Sequence, residues 1–197
     1  MPRVSKKLAI ENRKNIEHAT SRLIREKGFA VSVADLMKAA GLTHGGFYKH
    51  FQNKDELIDI ACKDIFQQSV GKWEAIIDES DNEKTALHDI FNGYLSERNL
   101  ENPGASCPLS SLSSDVARES SEKPVKQSFH QGVESLLSIL SSLDSLNPKD
   151  QERISENAVI QLSLLSGALT LARSVDHELA LKILDTVKQH LFEQYKV

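Results

Sequence analysis

Residues 32–58 read Ser-Val-Ala-Asp-Leu-Met-Lys-Ala-Ala-Gly-Leu-Thr-His-Gly-Gly-Phe-Tyr-Lys-His-Phe-Gln-Asn-Lys-Asp-Glu-Leu-Ile, and they restrict this chain to few folds. Ser32 with Asp35 three positions on marks a helix start: the hydroxyl accepts an otherwise unpaired backbone N–H, and the carboxylate sits near the positive end of the helix. Apolar spacing through Leu36, Met37, Ala39 and Ala40 carries that helix to Gly41, which takes the left-handed conformation of a helix exit. Thr43 is expected to cap a second helix over about His44–Phe51, at most about two turns long, and Asn53 with Glu56 a third. Helix, tight turn and helix form the unit that lays its second helix in the DNA major groove. Phe47 and Phe51, four apart, should face inward, leaving Thr43, His44, Gly45, Tyr48, Lys49 and His50 on a polar, mildly basic outer edge.

In these residues the chain resembles the TetR/AcrR family of bacterial transcriptional regulators. Val33–Leu36, Ala40–Thr43, Gly46–Phe51 and Asn53–Leu57 match the family's four motif pieces in order and without interruption. The resemblance covers about residues 10–60 in detail; beyond them only chain length and helical character agree. It implies an all-α fold of about nine helices. A three-helix DNA-binding domain, residues 1–53, would precede a larger helical effector-binding and dimerisation domain, residues 54–197. It further implies a homodimer that holds double-stranded operator DNA and lets go when a small effector binds.

The N-termini of the two short helices present free N–H groups, so Ser32 and Thr43 are candidates to hold phosphates. Gly45 and Gly46 each cost a helix roughly 1 kcal/mol relative to Ala. That cost is tolerable where backbone must approach a groove closely; alternatively the pair only loosens the start of the helix. His44 and Lys49 are the candidates for base edges. Tyr48, His50 and Lys54 are candidate phosphate contacts, as the matching positions are in the family. The sequence departs from many relatives in carrying His44 and Gly45 where a longer basic or hydroxyl residue is common. Recognition then leans on Thr43, Lys49 and DNA shape.

A net charge of −4 alone argues against DNA. The charge is unevenly spread, however: residues 1–60 hold 11 Lys+Arg against 7 Asp+Glu, whereas residues 61–197 hold 13 against 21. A basic head on an acidic body fits nucleic acid at one end. No apolar run approaches the roughly 18 residues that span a bilayer, and the start lacks the apolar stretch of a secretory signal, so a cytoplasmic protein without membrane contact is expected. Cys62 and Cys107 stand 45 positions apart with no CxxC or paired His, which offers neither a disulfide framework nor a metal site. With no nucleophilic triad spacing and no phosphate-cradling Gly loop, no catalytic residue and no cofactor are assigned, and an enzyme is not expected.

Along the rest of the chain, residues 1–7 read as an arm with Pro2, Arg3, Lys6 and Lys7, either touching phosphates or simply frayed. Ile16, Ala19, Thr20, Leu23 and Ile24 stripe a first helix ending at Gly28, with Arg13, Lys14, Arg22, Arg25 and Lys27 as mostly solvated surface. Residues 54–80 form a long helix joining the two domains, the element that transmits effector binding in the family. Residues 85–100 read as another helix, and Pro108 opens the next, with Cys107 at or near its N-cap. A thiol there gains thiolate character from the helix dipole and would sense an oxidant or electrophile, unless it is a buried structural cysteine. Candidate effector contacts are Phe66, Trp73, Phe91, Tyr94, Cys107, Leu112 and Phe129; aromatics at helical spacing are otherwise plain core. His130 lies beside the apolar face of a helix over 122–142. Asn147-Pro148 starts a further helix, nearly apolar all round over 158–175, and a last helix spans about 177–195. These two supply the expected dimer interface through Leu162, Leu165, Leu169, Leu184 and Leu191; alternatively the 158–175 helix is simply central core of one subunit, and both can hold for different faces. The leading expectation is a repressor released from a palindromic operator by a small molecule, electrophile or oxidant. The alternative is a regulator steered by a protein partner, or an activator, without a small ligand.

Overall fold

The computed structural model describes residues 6–144 and 154–195; Pro2, Arg3 and the helix start expected at Asn147-Pro148 lie outside them. Every regular element among the described residues is helical. α1, Lys6–Lys27, buries Ile16, Thr20 and Ile24 at four-residue steps and stops where Gly28 turns at φ 72°. α2, Val33–Ala39, opens on a complete capping box: Ser32 Oγ accepts from the Asp35 N–H at 3.1 Å, and Asp35 Oδ2 accepts from the Ser32 N–H at 3.2 Å. It closes as a Schellman turn, with Gly41 at φ 71°, the Leu42 N–H on the Met37 carbonyl at 2.8 Å and the Gly41 N–H on Lys38 at 3.0 Å.

The second helix departs from expectation. His44–Lys49 winds as a 3₁₀ helix, and the Thr43 side chain makes no capping bond. Two adjacent glycines, each costing about 1 kcal/mol, leave a six-residue segment without the propensity to hold an α-helix. Packing sets its orientation instead: Phe47 is wholly buried, its ring 5.6 Å from that of Phe51. α3, Lys54–Glu79, starts on Asn53, whose Oδ1 accepts from the Glu56 N–H at 2.9 Å. Its first turns, through Leu57, Ile58 and Ala61, close the core of α1 and α2, and the later ones carry Phe66, Ser69 and Trp73 into the second bundle.

The helix expected over 85–100 is two helices, α4, Glu83–Tyr94, and α5, Glu97–Glu101. The Asn99 amide donates to the carbonyls of Gly93 and Tyr94 at 2.9 and 3.1 Å, and Ser96 donates to Gly93 at 2.8 Å. These side chains satisfy the carbonyls of a finished helix end, so the chain turns at Leu95 without leaving them bare. A 3₁₀ turn at Pro103–Ala105 leads to α6, Leu109–Arg118; α7 is Pro124–Ser142, α8 is Glu156–Ala172 and α9 is His177–Tyr195. α3 packs on α7, α7 on α8, α8 on α9, and α9 returns to α4. Among the described residues, no helix is long and apolar enough to cross a membrane.

Among the glycines, Gly132 is the most tightly covered: an added Cβ would lie 2.1 Å from Cγ of the Phe66 ring. Gly132→Ala is therefore expected to lower stability by about 1–3 kcal/mol through overpacking, although Ala favours a helix by about 1 kcal/mol. A thermal melt checks this; a higher midpoint would mean the ring moves freely.

Arg13 and Arg25 are not the solvated surface the sequence led one to expect. Arg13 lies over the Phe51 ring at 4.5 Å, donates to the His50 carbonyl and pairs with Glu17 at 2.9 Å. Arg25 donates across from α1 to the Ser106 carbonyl at 2.8 Å. In both, the fork-shaped guanidinium finds a backbone carbonyl outside its own helix.

Candidate functional site

Thr43, His44, Gly45, Tyr48 and Lys49 lie exposed along one short segment, with Gly46 and His50 half-buried in it. Tyr48 is 68% exposed even though its ring meets Phe47 edge-on at 5.2 Å. A Cβ on Gly45 would meet nothing within 4 Å, whereas on Gly46 it would touch the Met37 methyl at 3.5 Å. Gly45 is therefore the glycine that leaves backbone open to an approaching surface. Ser32 and Lys54 flank the segment, and both are already engaged. The Ser32 hydroxyl also donates to Asp35 at 2.6 Å, and its bonds hold the Asp35 carboxyl below the usual carboxylate range, so a negative charge sits at the start of α2. The Lys54 ammonium donates to the Phe29 carbonyl at 2.5 Å, tying the turn after α1 to the start of α3.

Of the seven candidate effector residues, Trp73, Tyr94 and Cys107 line one cavity of about 480 Å³ between α3, α4 and the turn before α6. The other four do not line it. Phe66 and Phe129 stack edge-on at 5.2 Å at the α3–α7 seam, where Phe66 borders a separate cleft of about 230 Å³. Phe91 and Leu112 are wholly buried core, Phe91 meeting Tyr195 of α9 at 6.2 Å. The sequence reading missed Lys72, Arg98, Ile76 and Ile90 in the cavity wall. Lys72 and Arg98 carried no apolar spacing that would have marked them. On the far side of the same turn, α1 and α3 border a polar cleft of about 530 Å³ containing Arg22, Arg25 and Lys72.

Cys107 precedes the Pro108 N-cap of α6 and is half-buried. Burial pushes its thiol above the ordinary value, outweighing the Leu109 N–H and the nearby Arg25 and Arg173. Cys62 is fully buried and pushed up to about 12. The dipole argument for a thiolate at Cys107 thus meets a larger opposing cost of desolvation. Tyr94, only 4% exposed, completes no hydrogen bond with its hydroxyl although Cys107 and Ser110 face it.

The five leucines expected at a dimer interface are inside their own chain. Leu162, Leu165, Leu169, Leu184 and Leu191 are each at most 5% exposed and fill the core around α8 and α9. The outward apolar residues are Val159, Ile160 and Leu171 on α8 and Leu179 on α9, with Leu171 60% exposed. Ile160, Ser163, Gly167 and Leu171 follow one another at three- and four-residue steps, and a Cβ on Gly167 would meet nothing within 4 Å.

Residues 16–60 match the family described as bacterial regulatory proteins, tetR family. The HTH-type transcriptional repressor KstR2 of Mycolicibacterium smegmatis is 26% identical over 62 residues, which are 32% of this chain and 30% of that repressor's length. Whole-chain likeness comes from solved structures. A TetR transcriptional regulator from Legionella pneumophila superposes with a TM-score of 0.77 at 19% identity, covering 99% of this chain and 100% of that one. The reduced form of E. coli NemR superposes with a TM-score of 0.75 at 16% identity, covering 91% and 95%.

Proposed function

From the premise that this chain is a member of the TetR family, we infer that it is a DNA-binding transcriptional repressor, released from a palindromic operator by a small molecule held in its second bundle. The observation that carries this reading is the exposed 43–49 segment, with Gly45 open, on an intact helix-turn-helix core in the basic part of the chain. Thr43, His44 and Lys49 would meet the groove, with Gly45 and Gly46 allowing close approach. Tyr48, His50 and Lys54 would meet phosphates beside it, Lys54 while still bonded to Phe29. Ser32 is a weaker candidate, because Asp35 occupies its hydroxyl and its N–H.

Labour would divide at residue 53, with residues 54–197 binding the effector and a second copy. The exposed stripe on α8 favours a twofold interface through Ile160 and Leu171, since two recognition segments must reach successive major grooves roughly 34–36 Å apart. A raised Cys107 thiol favours a non-covalent ligand over an electrophile or oxidant as the releasing signal.

Fluorescence anisotropy on DNA from upstream of the protein's own coding region tests the whole. Lys49→Ala is expected to weaken binding about tenfold and to relax discrimination at the base that Lys49 reads. Hydrogen peroxide and quinones are expected to act equally on the parent and on Cys107→Ser. Release by those reagents that vanishes in Cys107→Ser would make the cysteine the sensor after all.

A further inference from the structure

The cavity behind Trp73 has walls of two kinds. Trp73, Ile76 and Ile90 are apolar, whereas Lys72 and Arg98 bring positive charge. No carboxylate lines it among the described residues, and neither cation forms an ion pair among them. Burial, with the neighbouring Arg25 and Arg98, lowers the Lys72 pKa, and the Cys107 thiol opposes it only in part. Behind the wall, Arg173 holds the Ser106 hydroxyl at 2.6 Å with no carboxylate beside it. Asp64 and Glu26 offset Arg25 from outside the cavity. Tyr94 stands in the same wall, its hydroxyl buried beside Cys107 and Ser110.

We propose that this cavity takes a small organic monoanion, a carboxylate on an apolar ring-sized body. The carboxylate sits between Lys72 and Arg98, and the body lies on Trp73, Ile76 and Ile90. About 480 Å³ suits one ring and a short acid chain, and the apolar wall leaves no second place for charge. Charge-assisted bonds are the strong ones, so the acid end sets specificity and the ring adds area. The ligand class rests on the proposal that this cavity is the effector site.

Trp73 is the chain's sole tryptophan, so its emission reports the cavity directly. The parent is titrated with 3-phenylpropionate and with neutral 3-phenylpropionamide, and DNA anisotropy is read in parallel. The acid is expected to saturate at least tenfold tighter than the amide. In the Lys72→Met, Arg98→Gln variant, the acid is expected to fall to the affinity of the amide, with the amide's affinity and the melting temperature unchanged. Equal binding of acid and amide to the parent would overturn the anion class and leave the effector site standing. A preference that survives in the variant would overturn it too, placing the anion elsewhere. If neither probe moves Trp73 emission or releases DNA, both the ligand class and the effector reading fail. Selective binding of the acid without release supports the anion site and overturns only its role as effector site.

Discussion

A chain carrying Ile160→Glu and Leu171→Glu is expected to fold, to run as a monomer of about 21.9 kDa, and to bind operator DNA at least about 100-fold more weakly than the parent. Both side chains are at least half exposed in the isolated chain, so the carboxylates enter water there and cost the fold little. Across a twofold axis each Glu would face its own copy, and like charges in a dry interface repel strongly. The loss in DNA binding follows from geometry, because one recognition segment keeps its contacts while the second becomes a separate binding event. Leu165→Glu is the control: it places a charge at a site with no exposure at all, and the chain should unfold rather than dissociate. Sedimentation and far-UV circular dichroism separate the two outcomes. A double variant that stays dimeric would mean that α8 does not face the partner.

That contrast shows what could be read from the residues and what could not. Ser32 with Asp35, Gly41, and Asn53 with Glu56 announce helix ends through bonds made within four residues, so the helix-turn-helix unit was legible before any tertiary contact was known. The winding of His44–Lys49 was not, because it depends on how two glycines weigh against the seating of Phe47. On α8 the apolar residues go almost all the way round, so periodicity had no phase to report. Leu162, Leu165 and Leu169 fill the interior, and Ile160 and Leu171 are left outside. Aromatic spacing likewise found Trp73 and Tyr94 but could not tell that Phe91 meets Tyr195 of α9, a choice made about a hundred residues away. Charged residues misled in the opposite direction. Arg25 reads as surface on α1, yet its guanidinium reaches the turn before α6, where a Cβ on Gly104 would already press on Arg22 and Glu26 of α1. The turn at residues 102–107 thus borders both the Trp73 cavity and the cleft along α1, a second contact between α1 and the later helices beside α3.

Arg173→Met is expected to lower stability by about 2–4 kcal/mol, the other large effect of a single side chain outside the core. The guanidinium donates from Nη2 to the Asn99 carbonyl and the Ser106 hydroxyl, both at 2.6 Å, and from Nη1 to the hydroxyls of Ser110 and Ser111 at 2.9 and 3.1 Å. Hydrogen bonds to a charged donor contribute about 1.5–3 kcal/mol each in isolation. Two costs reduce the sum. Burial already lowers the arginine's pKa with no carboxylate to offset it, and Nε is buried without a partner. Met keeps the stem and removes both the bonds and the desolvated charge, so the net loss is the smaller figure. Arg173→Lys separates charge from geometry, because one ammonium cannot span four acceptors on α5, the turn and α6. It should lose about as much as Met, read as a fall in the urea midpoint with the slope unchanged. A Lys variant as stable as the parent would show that charge alone suffices. Ser106 offers its hydroxyl to Arg173 and its carbonyl to Arg25, so loosening the first bond leaves that turn held by Arg25 of α1 and by Lys72 of α3, whose ammonium donates to the Ala105 carbonyl at 3.3 Å. The Arg173 variants should therefore weaken DNA binding as well as stability, although Arg173 is not part of the exposed 43–49 segment.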